Sequence, residues 1–478
     1  MAIKHGVYNT ELPTQIGKPR QTTSGIQFIV GTAPIHRLAN PAKAVNQMFL
    51  ISSLAQAKAA LGYSEEFDVF DLCQSMYMDF SVLKVAPAIF VNVLDPAVHK
   101  TAVAATTCTV TNGQALLDKK YMLIDANLVV KNGDDALVRG EDYIAKHNED
   151  DKLVITLLLE TMPASITVQG NQLNPSAVTA TDIIGGEDAE TGVVTGLSLI
   201  NDVYTKFGIN AATIVCPNWS KNATVAAAMV AVCEDISGVF KAETIIDVDS
   251  STYTKYTDAE AMKASMGIKS PHAFLVWPKV KIGSHILSGS VDVAAVTQYT
   301  DDQNGGVPNI SPSNKAAYID AVVLADGTEV LLNPEQGNVL NTVGIATFVK
   351  AEGLKVWGNY SAAYPDNDDP KDKFWCIRRF FSWHGNNFIR NYFAQVDNPM
   401  NKKLIDAVID SENRVLNGYV ANGQCAAASI ELSDENTSET LAAGKLYFNT
   451  VITPFPPAQE IHNTLSFDPD ALAEALTM

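Results

Sequence analysis

Ala88-Ile89-Phe90-Val91-Asn92-Val93-Leu94 is a nearly unbroken apolar run, and Asp95-Pro96 ends it. A run of that length and composition, closed by a turn former, predicts a strand. It also marks a change in the pattern of the chain. Before it, strand-like and helix-like stretches alternate. After it, from about Thr101 to Gly170, no helical period is found, Thr and Val are frequent, and turn signals come close together.

Upstream, Ile26 to Val30 is a short buried-strand pattern ending at Gly31. Ser52 or Ser53 is placed to cap a helix that stops at Gly62. A second helix is expected to carry Val69, Leu72, Cys73, Met76, Tyr77 and Phe80 on one face. Downstream, the stretch from Tyr121 to Lys131 ends at Asn132-Gly133. Asp142–Lys146 and Leu153–Leu157 flank Asn148-Glu149-Asp150-Asp151, the pattern of a hairpin. The alternation resumes near Ile183. A helix is expected over Leu197 to Phe207, stopping at Gly208, then a strand over Ala212 to Cys216. Ser220 is the expected cap of a helix bearing Val225, Met229 and Val232, and Thr244–Val248 and Ala273–Trp277 are the next strands. Strands alternating with helices imply a sheet with helices packed on it. The sheet is therefore expected to be built from two sequence segments, with an all-β unit inserted between them.

A third unit is expected from about Ile345. Lys355–Asn359 reads as a strand into a turn, and Phe374 to Gln395 is aromatic and basic. Asn401 to Asn417 is an amphipathic helix with Leu404, Ile405, Val408, Ile409, Val415 and Leu416 on its apolar stripe; Gly418 is the expected stop. The chain ends in two extended segments, Lys445–Phe455 and Glu460–Phe467, and a short acidic tail. The first 24 residues, with Pro13, Gly17 and Pro19, show no helical period and read as an arm. The fold class is thus α+β and multidomain: an α/β core over 25–95 and 183–344, an inserted all-β domain over 96–182, a C-terminal α+β domain over 345–457, and extended arms at 1–24 and 458–478.

Composition bounds what such a chain can do. Its 478 residues correspond to about three domains at roughly 150 residues each. Hydrophobic residues make up 47% and charged ones 18%, enough apolar material for packed cores. Lys plus Arg total 34 against 53 Asp plus Glu, a net charge of −19, so the long-range field repels nucleic acid and anionic membranes. Cys73, Cys108, Cys216, Cys233, Cys376 and Cys425 form no C-x-x-C pair, and are read as reduced core thiols. The start has no signal-peptide h-region, and the longest nearly apolar run, Ala223 to Cys233, is too short to cross a bilayer. The chain is expected to be made in a cytoplasm and to stay soluble. Sequons such as Asn222-Ala223-Thr224 are then chance matches.

Catalytic signals are sparse. The eight histidines are His5, His36, His99, His147, His272, His285, His384 and His462; none lie at i,i+3 or i,i+4 spacing, and no H-E-x-x-H, G-x-S-x-G or phosphate-loop motif occurs. Gly185-Gly186 could approach a phosphate, but Glu187-Asp188 beside it would repel one. Asp366, Asp368 and Asp369 lack the spacing of a calcium loop and read as a solvated loop. Arg378-Arg379 among aromatics could bind nucleic acid; an aromatic core face with arginines paired to carboxylates fits the net charge better. No catalytic residue, metal or cofactor is assigned. Terminal arms, in contrast, can add strands to a neighbour's sheet, and a head-to-tail contact of that kind builds a helical filament.

Several motifs then resemble one family. His5-Gly6-Val7 with Glu11 is similar to the opening arm of contractile tail sheath proteins, found in phage tails and in headless particles of the R-type pyocin kind. Gly140-Glu141-Asp142-Tyr143 resembles the hairpin of their inserted β domain. Ile184-Gly185-Gly186 with Thr191-Gly192 and Thr195-Gly196-Leu197 resembles the return to the core. Ser311-Pro312-Ser313-Asn314-Lys315, Trp357-Gly358-Asn359, Gly444-Lys445-Leu446-Tyr447 and Pro456-Pro457-Ala458-Gln459-Glu460-Ile461 follow in the family's order. Cys216-Pro217-Asn218 stands where the family often has Ala-Pro-Gly, and Tyr360-Ser361 where Arg-Thr often follows the W-G-N turn.

The resemblance implies a structural subunit, not an enzyme, that polymerises helically around an inner tube and contracts to drive the tube through a target envelope. It implies no cofactor. The implied partners are other copies through strand exchange, the inner tail tube protein, and baseplate and tail terminator proteins, with no direct nucleic acid and no membrane insertion. The implied place is a virion tail or contractile particle, assembled in the bacterial host cytoplasm. A bacterial contractile injection system is an alternative setting, and an α/β enzyme a more remote one. The arm strands are expected at Val7, Tyr8 and Leu12 and at Ile461, Thr464, Leu465 and Phe467. Lys402, Lys403 and Arg414 are the expected tube-facing residues.

Overall fold

The computed structural model describes residues 24–477. The chain opens with β1 (Gln27–Gly31), β2 (Met48–Ile51) and β3 (Ala88–Asn92), joined by helices Leu54–Leu61 and Leu72–Tyr77. Ser53 caps the first helix by accepting from the Gln56 amide, and Gly62 ends it. The second helix is shorter than its apolar face suggests and continues as a wider π-type turn over Met78–Leu83.

The insertion holds β4 (Lys100–Thr111), β5 (Gln114–Lys120), β6 (Val129–Asn132), β7 (Asp135–Ala136), β8 (Tyr143–His147), β9 (Lys152–Leu157) and β10 (Ser165–Leu173). They form one antiparallel seven-stranded sheet in the order β7-β6-β10-β4-β5-β9-β8. Period-2 alternation turns Leu153, Ile155 and Leu157 inward onto a core of their own, with Tyr143, Val130 and Ile166.

The chain returns through a small hairpin, β11 (Gly186–Glu187) and β12 (Val194–Thr195), and a tight 3₁₀ stretch, Gly196–Asp202. Only Val203–Phe207 of the expected Leu197–Phe207 helix is α-helical; Gly208 ends it in the left-handed conformation, as expected. The main sheet then resumes with β13 (Thr213–Val215), β14 (Glu243–Asp247) and β15 (Ala273–Val276). A three-stranded annex follows, β16 (Lys279–Ile282), β17 (His285–Leu287) and β18 (Ala321–Val323). The sheet closes with β19 (Ile345–Lys350) and β20 (Leu354–Trp357). Its order is β2-β3-β1-β13-β14-β15-β19-β20. The two edge strands pair antiparallel and the inner ones are parallel. Every residue of β1, β3 and β14 is buried, as strands covered by helices on both faces must be.

Three sequence expectations need correction here. Ser220 does not cap the next helix, Ala223–Glu234; Asn222 does, through the Thr224 and Val225 amides, while the Ser220 hydroxyl turns to Asp247. The division expected at 345 falls inside the sheet, because the β19 backbone completes the ladder of β15. Gly418 does not stop the late helix, which runs from Lys402 to Ala421, since Tyr419 beyond it is buried against Phe380 and Trp383.

The C-terminal unit packs helix Trp375–Tyr392, helix Lys402–Ala421 and the hairpin β21 (Cys425–Leu432) and β22 (Phe448–Pro454) around Phe380, Leu416, Cys425, Ile430 and Ile452. The tail is not structureless: Pro469–Thr477 is a short helix with no buried residue. All six cysteines are free and buried.

Candidate assembly surfaces

Among the described residues the tail end of the chain carries the most exposed apolar groups. Residues 455–468 form no strand or helix, and Ile461, Leu465 and Phe467 are 87%, 87% and 77% exposed. Thr464 is exposed beside them. The segment expected to be extended over Glu460–Phe467 thus pairs with no strand among the described residues. Val7, Tyr8 and Leu12 fall outside the described residues.

The β21–β22 hairpin lies just before this tail. Asn413, on helix Lys402–Ala421, donates to the Ile430 carbonyl at 3.3 Å and accepts from the Ile430 amide at 3.2 Å, imitating a strand neighbour beside β21. The outer edge of β22 has no strand partner among the described residues, and Val451 on it is exposed. An uncovered edge of this kind is a template for an added strand.

Three of the sequence motifs converge where the tail leaves the body. Ser311 donates to the Asn359 side chain at 2.6 Å, the Gly358 amide donates to the Ser313 hydroxyl at 3.0 Å, and the Asn314 amide donates to the Val356 carbonyl at 2.7 Å. Gly358 has a φ of +148°, and a Cβ there would stand 2.8 Å from the Ala346 backbone. The Ser311–Lys315 loop and the Trp357–Asn359 turn thus wall a groove of about 820 Å³, along which Phe455–Ile461 lies. Tyr360 holds the segment through a 2.6 Å bond to Gln459.

The arm at the other end is anchored at its root. Ser24 donates to Asp301 at 3.2 Å, and its carbonyl accepts from Arg379, which is also paired with Asp301. Arg378 pairs with Asp372 at 3.3 Å, and Trp375 stacks on Phe274 at 4.5 Å. The aromatic-basic stretch is therefore packing and pairing. Sequence reading supplied neither Asp301 nor Ser24 as a partner, since both lie far away along the chain.

Lys402, Lys403 and Arg414 are all exposed on helix Lys402–Ala421, with Arg414 bonded to the Asp410 carbonyl at 3.1 Å. On the opposite face Val408 and Leu416 are buried and the rest of the expected stripe is half-buried. Glu412, missed by the sequence reading, is buried 3.9 Å from His384. Burial pushes the Glu412 carboxyl up and brings His384 down to about 4.

The crevice beyond the carboxyl ends of the parallel strands is where such sheets bind ligands. Beyond β13, β14 and β15 the chain fills it. Ser220 and Ser290 donate to Asp247 at 2.8 and 2.6 Å, Trp219 donates to Asp71 at 2.6 Å, and Lys279 donates to Asn218 at 2.7 Å. Burial raises Asp71 to about 7 against the bonds from Thr32 and Trp219. Among the described residues no three His, Cys, Asp or Glu side chains are grouped to hold a metal, and no helix is long and apolar enough to cross a membrane. At Gly185 a Cβ would stand 2.0 Å from the Thr195 carbonyl, and at Gly196 one would stand 2.6 Å from the Ile183 carbonyl. These glycines serve a close backbone crossing, not a phosphate.

No family model matches the chain. It is 26% identical over 479 residues to a tail sheath protein of Burkholderia phage BcepMu, covering 96% of this chain and 95% of the relative. It is 26% identical over 293 residues to the tail sheath protein of Escherichia phage P2, covering 60% of this chain and 70% of the relative. Among solved structures it resembles the sheath complex, in the contracted state, of the extracellular contractile injection system PVC. That match has a TM-score of 0.57 and 13% identity, and covers 98% of this chain and 99% of the other.

Proposed function

We infer that the chain belongs with the contractile tail sheath proteins and is a structural subunit of such a sheath, not an enzyme. The observation that carries this is the near end-to-end similarity to a phage tail sheath protein. The finer reading concerns how copies join. Among the described residues the exposed tail residues Ile461, Thr464, Leu465 and Phe467 have no partner strand, and β22 offers an unpaired edge. Each subunit donates its terminal segments, Val7, Tyr8 and Leu12 at one end and the tail at the other, to sheets of its neighbours. Backbone pairing of donated strands survives a rigid-body shift of the domains, so rings stay linked while the lattice passes between two packings.

The inner tube is the expected template, met by Lys402, Lys403 and Arg414. Two lysines in the first turn of a helix oppose its dipole. A surface that keeps them there is consistent with a negatively charged partner. Baseplate and terminator proteins would close the two ends, with assembly in the host cytoplasm. A bacterial injection system is the alternative setting, given the fold the chain shares with such a sheath.

Electron microscopy of the purified chain across a concentration series tests the reading. Helical tubes with a wide lumen, formed alone or on an added tube protein, are expected. A chain lacking residues 1–12 should fold and fail to polymerise; normal sheaths from it would sink the arm exchange. Monomers of the intact chain that ignore every tube and baseplate protein would overturn the sheath reading itself.

A further inference from the structure

A cleft of about 660 Å³ separates the α/β core from the inserted sheet, and its charged lining side chains are Arg37, Arg139 and Lys146. His36 and Arg37 line it from the core; Arg139, Tyr143, Lys146 and His147 line it from the insertion. No carboxylate is among the lining residues. Arg37 is engaged, by Asp151 at 2.6 Å and by the Tyr63 carbonyl at 2.8 Å. Arg139 donates to the Ile124 carbonyl at 2.7 Å, and Lys146 has no ion pair among the described residues. Both are exposed. The Nδ1 atom of buried His36 has no hydrogen-bond partner among the described residues.

An acidic loop lies at the other end of the sheet. The cleft begins just beyond the carboxyl ends of β1 and β3, where the Ala33 amide donates to Asn92. The loop Pro365–Asp369 sits at the amino ends of β15 and β19. The Ala362 amide donates to the Ala273 carbonyl, and a Cβ on Gly344 would meet the Tyr364 carbonyl at 2.7 Å. Asp366 is held by Lys269 at 2.9 Å, and Asp369 caps the next turn through the Lys371 amide. Asp368 is exposed and has no ion pair among the described residues.

We propose that the acidic loop Pro365–Asp369 of one copy docks in the basic cleft between core and inserted sheet of the next, setting Asp368 against Arg139 and Lys146. The proposal depends on the sheath reading and adds a contact to it. Copies each carrying −19 repel one another, and a contact that sets opposite charges face to face offsets part of that repulsion. A helical polymer needs two different, complementary patches on each subunit. A basic cleft at one end of the strands and an acidic loop at the other supply both, and orient the stack along the strand direction.

Charge swapping tests it. Critical concentrations for polymerisation are measured by sedimentation for the natural chain, for Arg139→Glu with Lys146→Glu, for Asp368→Lys, and for the combination. Each partial change should raise the critical concentration about tenfold, and the combination should return within about threefold of the natural value. All changed side chains are exposed, and circular dichroism verifies the fold. In parallel, polymers of mixed light and heavy-nitrogen subunits are treated with a zero-length carboxyl–amine coupler. Mixed-isotope peptides joining Lys146 to Asp368 are expected. A natural critical concentration in the Arg139→Glu, Lys146→Glu chain, absence of rescue, or other inter-subunit links without this one would each overturn the contact while leaving the sheath reading intact. No polymer from the natural chain, with or without a tube protein, would overturn both.

Discussion

The guanidinium of Arg379 grips the carboxylate of Asp301 with both prongs, Nη1 on Oδ1 at 3.2 Å and Nη2 on Oδ2, in a site where the two side chains are 2% and 0% exposed. Asp301 belongs to the long buried helix Gly289–Gln303 of the core, and Arg379 to the first helix of the C-terminal unit. Ser24, where the N-terminal arm begins, bonds to both. One ion pair thus ties together the three parts of a subunit that would have to keep their relation while the lattice moves. A two-pronged pair fixes orientation as well as distance.

Removing one member of that pair leaves a buried charge alone. Arg379→Met should cost about 3–5 kcal/mol in urea unfolding, and Arg379→Met with Asp301→Leu should recover most of it. A loss below about 1 kcal/mol in the single variant would mean that the site takes up water and the pair is not the tie described.

A second joint holds the inserted sheet and is sensitive to acid. Asp151, on the β8–β9 turn, reaches His36 at 2.9 Å and Arg37 at 2.6 Å, and the His36 ring meets His147 edge-on at 5.0 Å. Burial and the neighbouring His36 bring His147 down to about 4; burial also lowers His36, against the pull of Asp151. Burial alone would raise Asp151, but its bonds from His36 and Arg37 bring it to about 2. A histidine held below its unfolded value gives stability that is present above about 6.5 and is lost as pH falls towards 4, because the unfolded chain binds the proton first. Unfolding midpoints should therefore drop between those pH values. His147→Gln, which keeps a donor for the Met122 carbonyl, should flatten part of the slope. An unchanged slope would place the acid sensitivity elsewhere.

Why some of this could be read from the sequence and some could not follows from range. Ala88–Leu94, Ser53 with Gly62, and the hairpin across Asn148–Asp151 depend on local rules, and the structure places all three as expected. The division at 345 depends on which strand pairs with which. The β15–β19 ladder joins residues about seventy positions apart in sequence, and a single sequence carries no signal for it. Gly418 reads as a stop, yet burial of Tyr419 outweighs its propensity, which costs only about 1 kcal/mol in a helix. The motif residues Ser311, Asn359 and Gln459 were legible as motifs; that they wall one groove was not.

Two glycines with similar backbone angles should respond differently to a methyl group. Gly196 has φ +58° and a Cβ there would collide with the Ile183 and Asp182 carbonyls; Gly208 has φ +67° with nothing within 4 Å. Gly208→Ala should cost about 1–2 kcal/mol, the left-handed penalty alone. Gly196→Ala should cost about 3 kcal/mol or more, since the hairpin return must also shift. Equal losses, measured by thermal unfolding, would mean that the crossing at Gly185 and Gly196 is not tight.

Charge reversal at Lys402 and Lys403 separates a tube contact from a merely solvated helix end. Both lysines lie in the first turn after the Asn401 cap, where the helix dipole is positive and cations are disfavoured. Lys402→Glu with Lys403→Glu should therefore stabilise the isolated subunit, by about 0.3–1 kcal/mol per position at low salt. If the same side chains touch a tube of opposite charge, the more stable subunit should assemble on that tube more weakly, and added salt should narrow the difference between the two proteins. Stability is read from urea unfolding of monomers, and assembly from co-sedimentation with the tube protein across a salt series. A variant that gains stability and assembles as well as the natural chain would remove Lys402 and Lys403 from the contact and leave Arg414 to be tested alone. A variant that loses both would show that the lysines make a local bond within the subunit, and the tube assignment would fall with it.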